Sequence, residues 1–357
     1  MKLVIFGLTI SSSWGNGHAT LWRGLCRALG ARGHHVTFFE RDVPYYAAHR
    51  DMTDPAGCHL RLYASWEDVH AAAESALADA DVGMVTSYCP DGQQACDLVL
   101  ASHAMRVFYD LDTGVTLARL KGGEQVAYLP PQGLGDFDLV LSYTGGRALD
   151  ELRTRLGARQ VAPLYGSVDP EAHRPSPASG GLPRGHLSYL GTYAADRQQR
   201  LEELFIEPAR RRPHRRFVIG GSQYPPDFPW TQNIYYVSHM PPPQHPAFYG
   251  SSVMTLNVTR GPMADFGYCP SGRLFEAAAC GTPILTDTWE GLDSFFEPQR
   301  EILVARNTDE ALAALDVSNE ELERLSRHAR ERTLTEHTAD CRARDLEGLI
   351  DAAQYPQ

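Results

Sequence analysis

The feature that most constrains this chain is a rhythm: short apolar runs alternate with helical stretches, and the series occurs twice. In the first series, residues 3–8, 36–40, 81–87, 105–110 and 139–142 read as strands, with helices between them over 19–32, 66–80 and 92–102. Repeated βα units dictate a parallel, doubly wound sheet, and right-handed crossovers gather the loops after the strands on one rim. The run HRPSPASGGLPRG at 173–185 breaks the rhythm; rich in Pro, Gly and Ser, it reads as a linker. A second series follows, with strands expected over 187–190, 216–219, 234–237, 253–257, 282–286 and 302–305 and a helix over 197–211. The tail at 319–353 is a long, charged helical pattern. Two α/β doubly wound domains, 1–172 and 186–325, are expected, each binding ligands beyond the carboxyl ends of its strands.

Composition agrees and excludes some partners. With 357 residues and 43% hydrophobic content, the chain is large enough for two cores. A net charge of −11 argues against a non-specific nucleic-acid binder, which needs a basic face. The run of arginines at 210–216 reads as a solvated helix end. The seven cysteines are scattered, with no metal-ligand spacing, so reduced thiols in a cytoplasmic protein are expected. The opening MKLVIFGLT reads as a first strand and not as a signal peptide, and no apolar stretch approaches the ~20 residues of a membrane span.

The chemistry-bearing residues follow the strands. Ser271 and Gly272 open a small-residue helix whose free N–H groups suit a pyrophosphate, with Arg273 and Leu274 beside them. Glu276, within the same helix, either offers its carboxylate to a ribose diol or is the exposed residue of an ordinary αβ unit. Gly191 and Thr192 begin the loop after the first strand of the second series, and Gly191 permits close backbone approach. Arg197 suits a leaving diphosphate, and Arg260 is a second cation for phosphate or sugar. In the first series the loop Ser13, Trp14, Gly15, Asn16, Gly17 ends at His18, a titratable ring that suits a general base or is simply a helix start. Asp110 and Asp112 end a strand; they suit acceptor orientation or proton abstraction, or cap a helix. Tyr88 and Tyr143 follow further strands and are expected on the acceptor side.

The stretch PSGRLFEAAACGTPILTD resembles the donor-site signature of the group 1 glycosyltransferases. The fuller run at 256–296 and the segment GTYAADRQQRLEELF at 191–205 are similar to its CgeB-like branch. The resemblance implies a GT-B fold, a nucleoside diphosphate sugar donor (UDP- or dTDP-linked), no required metal and no further cofactor. It implies that Glu276 binds the ribose, that His239 lies in the segment 237–240 whose backbone reads the base, and that a tail at 326–357 packs back on the first domain. Where the family often carries an earlier glutamate, eight positions before the ribose glutamate, this chain has Tyr268, which leaves sugar and stereochemistry open. The acceptor is expected to be a small molecule, glycan or protein, and the enzyme a monomer or homodimer. The rival readings are a nucleotide-sugar epimerase on the same fold and a non-catalytic nucleotide-sugar binder. A dehydrogenase is disfavoured because the loop after the first strand lacks GxGxxG.

Overall fold

The computed structural model describes residues 1–177 and 181–354. The chain divides into two compact units: Met1–Ser13, Gly17–Tyr165 and the C-terminal residues from Ala339 form one, and Trp14–Asn16 with Gly166–Thr338 form the other. The expected linker at 173–185 and the expected C-terminal segment at 326–357 each fall partly outside the described residues.

The first unit holds seven strands: β1 (Lys2–Gly7), β2 (His35–Arg41), β3 (Cys58–Tyr63), β4 (Val82–Thr86), β5 (Met105–Asp110), β6 (Leu139–Ser142) and β7 (Val161–Pro163). All pair in parallel, in the order β3-β2-β1-β4-β5-β6-β7. The order reverses between β1 and β4, which makes their carboxyl ends the switch point of this sheet. The edge strands β3 and β7 are absent from the expected set. The sequence CHLRLY of β3 is mostly solvent-facing and polar, so it lacks the apolar run that marks the inner strands.

The second unit holds β8 (Gly185–Leu190), β9 (Phe217–Gly220), β10 (Ile234–Val237), β11 (Ser252–Asn257), β12 (Ile284–Thr286) and β13 (Leu303–Val304). Their order, β10-β9-β8-β11-β12-β13, again reverses beside the first strand of the unit, between β8 and β11. Phe205, Phe217, Leu204, Leu256 and Leu285 fill its core.

Two helical stretches differ from the expected pattern. The expected helix at 197–211 is a composite: a 3-10 turn, an α turn, a π turn over Glu202–Ile206 and an α turn over Glu207–Arg211. Pro208 has no N–H to continue the i→i−4 ladder, and the register widens just before it. The arginines beyond are paired, Arg211 with Glu207 and Arg215 with Asp316. The helical tail breaks at His337–Thr338: helix Asn319–Glu336 lies in the second unit, and helix Ala339–Gln354 packs on helix His18–Ala31 in the first.

Candidate functional site

In the second unit, a cluster of side chains forms at the switch point. Arg273, in helix Gly272–Ala279, donates from Nε to the Leu190 carbonyl at the end of β8, and from Nη1 to Asn257 Oδ1 at the end of β11 (3.0 Å). Its guanidinium lies over the Tyr189 ring, 4.8 Å from the centroid. A Cβ on Gly191 would come within 2.6 Å of Arg273 Nη2, so the close approach expected of this glycine is filled by an arginine of the chain itself. Ser271 precedes the helix without a side-chain cap, so its first N–H groups carry no hydroxyl partner. Leu274 is fully buried and its N–H bonds the Ser271 carbonyl (3.0 Å), so it offers a ligand neither side chain nor donor.

Glu276 sits one turn further along. Its Oε2 accepts from the Tyr249 hydroxyl at 3.3 Å and lies 3.8 Å from His245 Nδ1. His245 Nδ1 in turn is 3.2 Å from Nε2 of the buried His173, and His245 Nε2 reaches the Met240 carbonyl at 3.1 Å. Burial alone works to raise the Glu276 pKa, but His173, His245, Arg273 and the Tyr249 hydroxyl outweigh it and hold the carboxyl below its ordinary value. Burial drives His245 down to about 4, with Glu276 pulling the other way. At neutral pH that ring is therefore uncharged, and Arg273 is the standing cation beside Glu276. Glu276 Oε1 has no hydrogen-bond partner among the described residues, and the side chain keeps 14% of its surface exposed.

The other expected cations are arranged differently. Arg260 is ion-paired with Asp196 at 2.9 Å. Arg197 donates from Nη1 to the Thr192 carbonyl (3.3 Å), and its Nε is buried without a partner. The His239 ring lies 4.6 Å from that of Trp14, whose short segment Trp14–Asn16 groups with this unit. Within that segment Gly15 is left-handed and Asn16 Nδ2 donates to the Trp14 carbonyl at 3.0 Å.

In the first unit, the rim above β1, β4 and β5 holds a second cluster. His18 begins helix His18–Ala31, immediately after the uncapped Gly17. Its Nε2 lies 3.3 Å from Asp112 Oδ2, its ring stands edge-on to Tyr88 at 5.8 Å, and its Nδ1 is buried without a partner. Tyr88 holds a left-handed backbone (φ 61°), a strained conformation for an aromatic residue that aims its ring at this rim. Asp110 is fully buried, one turn beneath: Oδ1 accepts from the Asp112 N–H (3.0 Å) and Oδ2 has no partner. Burial lifts its pKa to about 6, with the Asp112 N–H and the nearby Thr116 and Ser87 hydroxyls pulling the other way. Ser13 is tied to Asp51 through both N–H and hydroxyl, and Tyr143 is buried. The residues that sequence reasoning missed are His173, His245 and Tyr249 around Glu276, and Glu40. Histidines 173 and 245 are 72 residues apart in sequence, so only the fold pairs them. His245 and Tyr249, at i and i+4 in one helix, left a signal of helical spacing.

Comparison with known proteins places this architecture. Residues 197–348 match the family model described as glycosyl transferase-like. A search of curated proteins returns no match. Among solved structures the chain is similar to sucrose-phosphate synthase from Thermosynechococcus elongatus (TM-score 0.72, 14% identity, 98% of both chains covered). It is also similar to HepE from Anabaena in complex with UDP and glucose (TM-score 0.66, 12% identity, covering 98% of this chain and 99% of that one). A third likeness is the catalytic domain of starch synthase IV from Arabidopsis thaliana bound to ADP and acarbose (TM-score 0.66, 11% identity, 99% of both chains). The fold is GT-B. No described helix is long and apolar enough to cross a membrane.

Proposed function

We propose that the chain transfers a sugar from a nucleoside diphosphate sugar to an acceptor hydroxyl, as a CgeB-like member of the group 1 glycosyltransferases. One observation supports the reading: Glu276 is an ionised, mostly enclosed carboxylate with one unpartnered oxygen, at the switch point of the second sheet and in the helix with the open N-terminus. Such a carboxylate suits a ribose diol, and the N–H groups at Ser271–Gly272 suit the diphosphate. The donor nucleotides named in the neighbouring structures, UDP and ADP, are consistent with this chemistry.

Charge builds on the leaving phosphate oxygen as the glycosidic bond breaks. Arg197, with its unpartnered Nε, is the cation best placed to meet it. Arg260 would join by exchanging Asp196 for phosphate. Gly191, Thr192 and His239 complete the donor side, and no metal is assigned a role. On the acceptor side, His18 takes the hydroxyl proton and Asp112 steadies the resulting imidazolium. Because Nε2 faces Asp112, the proton goes to Nδ1. Asp110 acts beneath them by holding the Asp112 backbone. Tyr88 and the loop residues Ser13, Trp14, Gly15, Asn16 and Gly17 border the acceptor, with the buried Tyr143 behind. A cytoplasmic enzyme without a membrane span is the reading consistent with its free thiols.

The test is a thermal-shift screen with UDP, ADP, GDP and dTDP, and then their sugars. A ligand at a hundred times its Kd should stabilise by about 2.7 kcal/mol. Glu276→Ala should weaken the best nucleotide by at least tenfold and raise donor KM accordingly; unchanged affinity in that variant would sink the assignment.

A further inference from the structure

Among the described residues, His173, His245 and Tyr249 gather around Glu276 in a largely buried cluster that has no role in the proposed reaction. We infer that these three side chains orient the Glu276 carboxylate, presenting its free oxygen Oε1 to the ribose hydroxyls of the donor nucleotide. They are positioning residues, and the inference rests on the reading of Glu276 as the ribose ligand.

A glutamate on a helix has three rotatable bonds, so a diol-binding carboxylate needs something to fix it. Tyr249 supplies a hydroxyl donor to Oε2, and the ring sits fully buried, which leaves that hydroxyl few other directions. His245 is one helical turn before Tyr249, so both face Glu276 from one short helix. The His245 ring is itself pinned at both nitrogens. Nε2 faces the Met240 carbonyl, which requires the proton there and leaves Nδ1 as an acceptor. His173 Nε2, at 3.2 Å, donates to that acceptor. The bonded pair therefore forms a rigid wall 3.8 Å from Oε2, too long for a direct bond but close enough to block rotation of the carboxylate toward it. The oxygen with a fixed partner is turned inward and the other is left for a ligand.

One ligand atom from each of His173, His245 and Glu276 lies within 4.8 Å of the others, a spacing that also suits a divalent cation. Two observations favour the positioning role. His173 Nε2 and His245 Nδ1 already engage each other at hydrogen-bond distance, and Arg273 places a fixed positive charge beside Glu276, which repels a dication.

The inference has a signature that mere structural support lacks: it concerns the ribose hydroxyls and nothing else on the nucleotide. The experiment measures, on the full chain, the affinity of the best-binding diphosphate among UDP, ADP and GDP against its 2′,3′-dideoxy form. The wild type should prefer the hydroxylated form by about tenfold or more. Tyr249→Phe and His245→Gln should each lose most of that preference while keeping wild-type affinity for the dideoxy form; His173→Gln should act in the same direction and more weakly. Tyr249→Phe keeps the buried ring, so it remains informative if a histidine variant fails to fold. A wild type that ignores the ribose hydroxyls, or binds no nucleotide, overturns the Glu276 reading and this inference with it. A wild type that discriminates, with variants that discriminate equally, overturns this inference alone. So does one equivalent of zinc bound by the wild type and lost in His245→Gln.

Discussion

Asp110 carries a charge that its surroundings resist. It is wholly enclosed, one of its oxygens has no partner, and burial lifts its pKa to about 6 from an unfolded value near 3.8. The folded chain therefore binds this proton more tightly than the unfolded chain. Stability from this group is complete below the unfolded pKa and falls as pH rises through about 6. The loss is roughly 3 kcal/mol by pH 8, since each tenfold gain in proton affinity is worth ~1.4 kcal/mol. Asp110→Asn keeps an acceptor for the Asp112 N–H and removes the buried charge. Urea unfolding of the first unit should show the variant more stable at pH 8, by about 2–3 kcal/mol, with the gap closing by pH 4. An equal gap at both pH values would contradict the burial account. His245 has the opposite sign: its folded pKa is depressed, so its contribution is complete above about 6.5 and is lost as pH falls through about 4.

At the scale of elements, the loop after β1 is shaped by a residue at the end of β2. Glu40 is fully buried, and its two oxygens accept from Thr9 Oγ1 (2.9 Å), Ile10 N (2.7 Å), Ser11 N (3.0 Å) and Ser11 Oγ. Ser11 Oγ also accepts from Arg50 (3.1 Å), and Arg23 and Ser13 hold Asp51, so successive residues leading to His18 are anchored from outside the loop. Glu40→Gln would aim an NH2 at two of these donors. The expected cost is about 2–3 kcal/mol in urea unfolding of the first unit, because buried donors are left unmade. Loss of acceptor-dependent turnover should exceed any loss of nucleotide affinity, since the donor elements lie in the other unit. Equal losses in both would show that the loop serves the nucleotide.

For the molecule as a whole, each unit has its own sheet and core, and the C-terminal helix belongs to the first. Its buried residues Ala339, Ala343, Leu346 and Ile350 face helix His18–Ala31, and Arg32 and His34 both pair with Glu347. Truncation after Thr338 removes apolar burial worth roughly 5 kcal/mol at ordinary transfer values. Calorimetry should then show the transition of the first unit lowered by several degrees or lost, with that of the second retained and still raised by nucleotide. A nucleotide response that disappears with the helix would place the donor site elsewhere.

The sequence determined the series of elements and the chemistry of the rim. Apolar runs, turn residues and the stretch around Glu276 are local patterns, and inner strands buried on both faces write them plainly. Met105–Asp110 and Leu139–Ser142 fall where the pattern puts them. Edge strands such as Cys58–Tyr63 do not, because one exposed side relaxes the demand for apolar residues. Only the tertiary structure decided the company each side chain keeps. Arg273 reads as a donor-site residue at a helix start, and it is committed to Leu190 and Asn257. Asp110 reads as a rim acid, and it is buried. His173 sits in a stretch that reads as connector, and it closes on His245 and through it on Glu276. These pairings join residues far apart in the chain, so no local pattern encodes them. Burial, charge and hydrogen-bond saturation act on neighbours in space, and those are fixed only once the sheets have formed.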